Sequence, residues 1–412
     1  MRKTKTIGRI LLLLVIVISL TGCWDREELE DRSYVIGLGL DRSQHKGKIK
    51  VTMLLANPEV GSMQGGGGST EKPREIITFD ANDFIVAKVT ANAIISRLIS
   101  YDLLKIIVVS EELAKDPSFF HIIYGVVYDK EIRLNTYLAV SKEMASEYFL
   151  KNRPKMETRP HKYFQYMVDH GIENGLIPDS TLFRFFKSKE SGTDLFLAMN
   201  TTAVREKNPK FSGEDEYYAG QVNATGELDD TQFIGSGVFR NGVMIGKLTG
   251  QETSIVNTLD DTTNINDFLL NIPNPFPGKQ KSFAARVMKR ENNKVKMNLK
   301  GPRPKIFITL PLKFEIMSNP SMVDFSKKKN QEIIKKEIAR HFKIEHEKVL
   351  KKAQTEYKGA PYPLSYNARK YFGTIQEYKK FNWNKSYLKA DIYVKADVEI
   401  VDYGRVTRRV GN

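Results

Sequence analysis

The sequence predicts an α+β fold built from several modules, and three observations carry that expectation. Apolar residues recur with a period of two in some stretches and with helical spacing in others, and the two kinds interleave along the chain, the mark of mixed sheet-and-helix layers. The length of 412 residues has room for about two to four domains. Acidic and basic side chains are also unevenly divided, with the change at a proline-rich stretch. The composition is globular, 41% hydrophobic and 27% charged, unlike a disordered or multi-span membrane chain.

The first residues read as an export signal. Arg2, Lys3, Lys5 and Arg9 precede an apolar run from Ile10 to Leu20 broken only by Ser19. A membrane span needs about 20 apolar residues, so the run is too short to stay in a bilayer. Leu20-Thr21-Gly22-Cys23 follows and holds the sole cysteine, which excludes an intrachain disulfide and a cysteine-rich zinc site. The four residues look like a bacterial lipobox. The thiol of Cys23 is the nucleophile that takes diacylglycerol as a thioether, and the small residues before it fit a narrow protease site. Gly22 and Cys23 flank the expected cleavage, leaving lipidated Cys23 as the first residue. Two or more acyl chains hold a protein stably on a membrane where a single chain does not. Trp24 belongs either at headgroup level or packed on the first domain.

The elements follow in order. Tyr34–Leu40 and Ile49–Leu55 read as a hairpin. The Gly65–Gly68 run lacks the Gly-Lys-Ser/Thr ending of a phosphate loop and reads as a flexible connection. Ile76–Phe79 is a short strand, and Asp83–Leu98 has one apolar helical face including Ile94 and Leu98. Lys105–Val109 is a buried strand, followed by helices at Glu111–Ala114 and Phe119–Tyr128. Thr136–Val140 is a strand and Lys142–Leu150 a helix. The stretch 151–195 is a helical cap, with helices at Tyr163–His170 and Thr181–Lys187. Phe196–Val204 is a strand. Phe233–Thr249 is a second hairpin, turning at Asn241-Gly242, where both central positions need positive φ. Strands at Ser282–Met288, Val295–Leu299, Ile306–Leu310 and Leu312–Met317 precede a long helix, Asn330–Ala353. That helix lines one side with Ile334, Ile338, Phe342, Val349 and Ala353. Lys389–Val401 is a final alternating strand, and Trp383 before it reads as core.

Residues 23–272 carry 28 basic and 36 acidic side chains, whereas residues 273–412 carry 32 and 13. The change falls at Ile272-Pro273-Asn274-Pro275-Phe276-Pro277-Gly278, a breaker cluster that reads as a domain boundary. The basic third faces anionic lipid, an acidic partner or only solvent. Export makes nucleic acid an improbable partner despite the net charge of +15.

At this point the residues resemble a family. Gly22-Cys23-Trp24-Asp25-Arg26-Glu27-Glu28-Leu29-Glu30-Asp31, then Ile36-Gly37-Leu38-Gly39-Leu40-Asp41, look like the Ger(x)C family, the lipoprotein C subunit of nutrient germinant receptors in endospore-forming bacteria. The likeness extends through Asp129–Leu134, the Gly235–Glu252 hairpin, Asn382-Trp383, Val398-Glu399-Ile400 and Tyr403-Gly404. Tyr357–Leu364 departs from the family's usual aspartate and glycine- and phenylalanine-rich turn. The resemblance implies three mixed α/β domains in series, each a small, mostly antiparallel or mixed sheet with helices packed on it. On this chain they are expected after the signal peptide at 1–22, as 23–198, a small hairpin-bearing module at 199–272, and a basic module with the long helix at 273–412. It also implies a lipid anchor on the outer face of the spore inner membrane, beside multi-span A-type and B-type subunits, and no catalytic activity.

The residues offer little for an enzyme. His-Glu-x-x-His, Gly-x-Ser-x-Gly, an EF-hand loop and the dinucleotide fingerprint are absent. His341 and His346 lie five apart, about 140° around a helix, which does not suit one metal. Asp260-Asp261-Thr262-Thr263-Asn264 and Asp229-Asp230 read as turns or caps. No cofactor is expected. A different reading is a lipid-anchored solute-binding protein that captures the nutrient itself; it needs a cleft with convergent polar groups, and the sequence alone shows none.

Overall fold

The computed structural model describes residues 31–56, 74–207, 209, 216–263, 265, 267–278 and 281–404. Gly22, Cys23, Trp24, Asn264 and the Gly65–Gly68 run lie outside them. Nine strands form the first sheet: β1 (Arg32–Arg42), β2 (Ile49–Ala56), β3 (Arg74–Ala81), β4 (Leu98–Ser100), β5 (Ile106–Ser110), β6 (Tyr137–Ser141), β7 (Phe196–Thr202), β8 (Gln232–Arg240) and β9 (Val243–Leu248). The order is β3-β2-β1-β5-β6-β7-β8-β9, with β4 also on β1. Its centre, β1-β5-β6-β7, is parallel, and antiparallel hairpins close both flanks. A parallel centre needs cover on both faces. Accordingly β5 reads Ile-Ile-Val-Val-Ser and every residue is buried.

Seven helices accompany this sheet: α1 (Ala87–Asn92), α2 (Glu111–Ala114), α3 (Phe119–Tyr124), α4 (Ala145–Lys151), α5 (Pro160–Glu173), α6 (Leu182–Ser191) and α7 (Gly250–Leu259). α1, α2, α3 and α6 cover one face through Ala87, Leu113, Phe119 and Phe185. α4 and α5 cover the other through Tyr148, Phe149, Phe164 and Val168.

The second sheet holds β10 (Asp267–Pro273), β11 (Ser282–Lys289), β12 (Lys294–Asn298), β13 (Lys305–Ile316) and β14 (Asp391–Asp402). β11 and β12 pair antiparallel with successive stretches of β13, and β14 pairs parallel with it. That parallel return requires a crossover, which α8 (Lys328–Lys352) supplies, followed by α9 (Ser365–Arg369), α10 (Ile375–Phe381) and α11 (Trp383–Tyr387). Ile334, Ile338, Phe342 and Val349 of α8 are buried, as its periodicity requires, and so is Trp383. The core beneath this sheet continues without a break into Leu195, Leu197, Val238 and α7, so the two sheets share apolar packing.

The structure departs from the expected elements at several points. The helix expected over Asp83–Leu98 stops at Asn92, because Leu98–Ser100 pairs with Arg32–Tyr34 as a strand. Ile94 and Leu98 are therefore exposed rather than buried. The two strands expected at Ile306–Leu310 and Leu312–Met317 are one, running through Pro311. Pro311 lies opposite the break between β11 and β12, where its carbonyl accepts from the Arg290 N–H at 3.0 Å, so the ladder tolerates a residue without a donor. The boundary placed between 198 and 199 falls inside β7, and that between 272 and 273 inside β10. The hairpin assigned to a middle module instead extends the first sheet, since β8 pairs with β7 from Phe196↔Phe239 to Thr202↔Gln232. The described residues thus form two sheets.

Candidate functional site

The motif Ile36-Gly37-Leu38-Gly39-Leu40-Asp41 holds α4 against the sheet. A Cβ on Gly37 would lie 2.7 Å from Cε1 of Phe149, and one on Gly39 3.1 Å from the Ala145 Cβ. Both glycines therefore permit a close helix approach. Asp41 is buried, and its carboxylate accepts from the N–H groups of Ala145 at 2.6 Å and Ser146 at 3.0 Å. It supplies acceptors to donors that the first turn of a helix leaves unpaired. The other motif segments also have packing roles. Lys88 bridges Asp129 and Glu131, each at 3.1 Å. Glu252 closes a capping box with Thr249 at the start of α7 and accepts from Lys352 at 2.8 Å. That contact ties the β8–β9 hairpin region to the end of α8. Asn241 and Gly242 turn the hairpin at φ of 54° and 85°.

A cleft of about 340 Å³ opens where α6, the start of β7, the end of α7 and the 361–366 turn meet. Arg184 organises one wall. Its Nε donates to Asp179 at 3.0 Å, its Nη1 to Asp260 at 3.0 Å, and its Nη2 to the Thr262 carbonyl at 2.7 Å. Asp260 also caps its own turn by accepting from the Thr262 N–H at 2.9 Å. Lys187 lies over the rings of Phe183 and Tyr366 at 4.9 and 4.8 Å, a cation–π arrangement. At the back sits Asp194, which accepts from the Ser365 hydroxyl and N–H. Burial pushes its carboxyl up to about 7, against the pull of the Ser365 hydrogen bonds and of Arg369. The neighbouring backbone is joined too, with the Leu195 N–H donating to the Ala360 carbonyl at 2.7 Å. These partners come from parts of the chain that local patterns cannot connect.

The charged side chains of this cleft already have partners within the chain. Its arginine and two of its carboxylates are engaged with one another, and its lysine is held over aromatic faces.

An apolar groove of about 440 Å³ lies between α7, β10 and α8, lined in part by Ile255, Phe268, Leu270, Phe342 and His341. His346 is buried there. Its Nδ1 lies 2.7 Å from the Phe342 carbonyl and its Nε2 2.7 Å from the Thr258 hydroxyl. Burial holds its pKa down at about 4, so it is neutral and structural. His341 is only half-buried, and the two histidines do not converge on one ligand. Asp229 forms a turn contact, accepting from the Thr231 N–H at 3.2 Å. Sequence reading singled out neither Arg184, Lys187 nor Asp194. The lipidation and cleavage positions, Gly22 and Cys23, lie outside the described residues.

Comparison with known proteins bears on the whole chain. A family model described as "Spore germination protein N-terminal domain" matches residues 25–201, and one described as "Spore germination B3/ GerAC like, C-terminal" matches residues 234–404. The second model starts within β8. Spore germination protein B3 of Bacillus subtilis (strain 168) is 22% identical over 414 residues, covering 98% of this chain and 99% of that protein. Spore germination protein KC of the same organism is 28% identical over 142 residues, 34% of this chain and 35% of that protein. The crystal structure of the GerBC protein matches in fold with a TM-score of 0.53 at 17% identity, over 92% of this chain and 100% of that one.

Proposed function

The chain belongs to the Ger(x)C family of spore germination proteins, and we propose that it is the lipid-anchored, non-enzymatic C subunit of a nutrient germinant receptor. The observation that carries this reading is one of order along the chain. The family match begins at residue 25, two residues after the sole cysteine, itself the last residue of a lipobox. In this reading Cys23 carries diacylglycerol after cleavage behind Gly22. The two sheets stand on the outer face of the spore inner membrane and assemble with the multi-span A-type and B-type subunits. The mixed sheets and shared core supply a rigid body, and the tether supplies residence at the bilayer. Replacing Cys23 by Ala tests it: the variant should leave the membrane fraction and the spores should respond poorly to nutrients. A variant that stays membrane-bound in normally germinating spores would overturn the anchoring role.

The cleft around Arg184 favours a second reading, in which the subunit captures a small polar solute itself. Calorimetry of the unlipidated chain against candidate nutrients tests this. Saturable heat that is lost in Lys187→Ala supports capture, and no heat with any nutrient refutes it.

A further inference from the structure

Alternate residues of β12, β13 and β14 point into the core, as Met297, Ile306, Ile308, Val394 and Ala396 do. The positions between them face solvent. Register makes Lys296, Phe307 and Tyr393 neighbours across the three strands. The Phe307 and Tyr393 rings are stacked, with centroids 5.2 Å and planes 16° apart, yet each residue is 45% exposed. Stacked aromatics of this size usually serve a core or a contact.

The charge around them is positive. Lys305 and Lys395 flank the pair on β13 and β14, and both are exposed, as is Lys296. Asp391 lies opposite Lys305, but Lys296 is opposite Phe307 and Lys395 opposite Thr309, so neither has an acid across the register. Farther along β14 the acids are already taken: Arg290 binds Asp397 at 2.7 Å and Glu399 at 3.2 Å.

We propose that this open face of the second sheet docks on an anionic phospholipid surface. The inference rests on the anchoring at Cys23 argued above. Eight residues separate Cys23 from the start of β1, a tether of about 30 Å when extended, which keeps the body beside the bilayer. An amphipathic ring such as that of Tyr393 is favoured at headgroup depth, and near-surface lysines are drawn to anionic headgroups. Residues 273–412 as a whole carry 32 basic against 13 acidic side chains, and that surplus adds long-range attraction to an anionic surface.

The test uses the full mature chain, residues 23–412, with Cys23→Ser, in co-sedimentation with vesicles of phosphatidylcholine alone or mixed with phosphatidylglycerol. Binding is expected only to the mixed vesicles and should weaken with added salt. Lys296→Gln with Lys395→Gln should lower the partition constant about 30-fold, the loss of two near-surface cations. Phe307→Ser with Tyr393→Ser should also weaken it. The same charge change on the exposed side of α8, Lys335→Gln with Lys336→Gln, should have much the smaller effect. Unchanged thermal melting shows that the variants remain folded. Three results would overturn the proposal: no binding of the mixed vesicles, equal losses from the β-face and α8 pairs, or binding of polyglutamate or single-stranded RNA in place of vesicles. Because the assayed chain carries no lipid, its failure leaves the Cys23 thioether untouched, and an unmodified Cys23 in cells leaves this assay untouched.

Discussion

Replacing Asp194 by Asn probes the seam between the two sheets. Asp194 stands two residues before β7 and bonds Ser365, 171 residues away. Its carboxyl is raised from 3.8 to about 7, chiefly by burial. A raised folded-state pKa means that the native chain binds a proton which the unfolded chain releases. Stability from this group is therefore greatest below 3.8, falls as pH rises, and is lost by about 7. The difference corresponds to about 4 kcal/mol between the two ends of that window. Asn keeps the shape and an acceptor for Ser365 but does not titrate. Urea unfolding at pH about 5 and about 8 should show the wild type losing stability relative to Asp194→Asn by about 1–3 kcal/mol, the part of the window those two pH values span. Equal pH dependence in both proteins would refute the reasoning, and so would a wild type that gains relative stability as pH rises.

Three further outcomes are expected. Arg184→Ala leaves Asp260 and Asp179 without their cation, and should cost about 3 kcal/mol in urea unfolding; a change within error would show the network to be solvated. Gly37→Ala forces its Cβ against the Phe149 ring and should cost about 1–3 kcal/mol in thermal unfolding, with no effect expected if α4 rides farther from β1. Trp383→Ala empties a buried site and should cost about 3–5 kcal/mol by denaturant titration.

The hairpins, the buried strand β5 and the long helix were legible because each is written in local periodicity or turn chemistry. Asn241-Gly242 names its own turn, and Ile334, Ile338 and Phe342 name a helix face. The α7 helix carried a usable sign, Thr249 with Glu252 three residues on, but its buried face includes Thr253, Asn257 and Thr258, which blurs the apolar stripe. β4 and β10 are short or edge strands, and the proline at 273 read as a breaker although it ends a strand. Leu98 shows how pairing overrides pattern: the ladder to Arg32–Tyr34 ended a helix that spacing alone would continue.

The site was less legible than the fold. The lipobox is contiguous, so Cys23 could be named from sequence. The cleft is not contiguous: Arg184 meets Asp260 across 76 residues and Asp194 meets Ser365 across more than twice that span. No local spacing encodes those meetings. The lysine surplus of the last third was visible as a count, but only strand register places Lys296 and Lys395 beside the Phe307–Tyr393 stack.

Mass spectrometry of the processed polypeptide from spore membranes reads the state of Cys23 itself. Lipid anchoring requires a chain that begins at Cys23 with diacylglycerol on its sulfur. A free thiol there, or a chain that still carries residues 1–22, would contradict it.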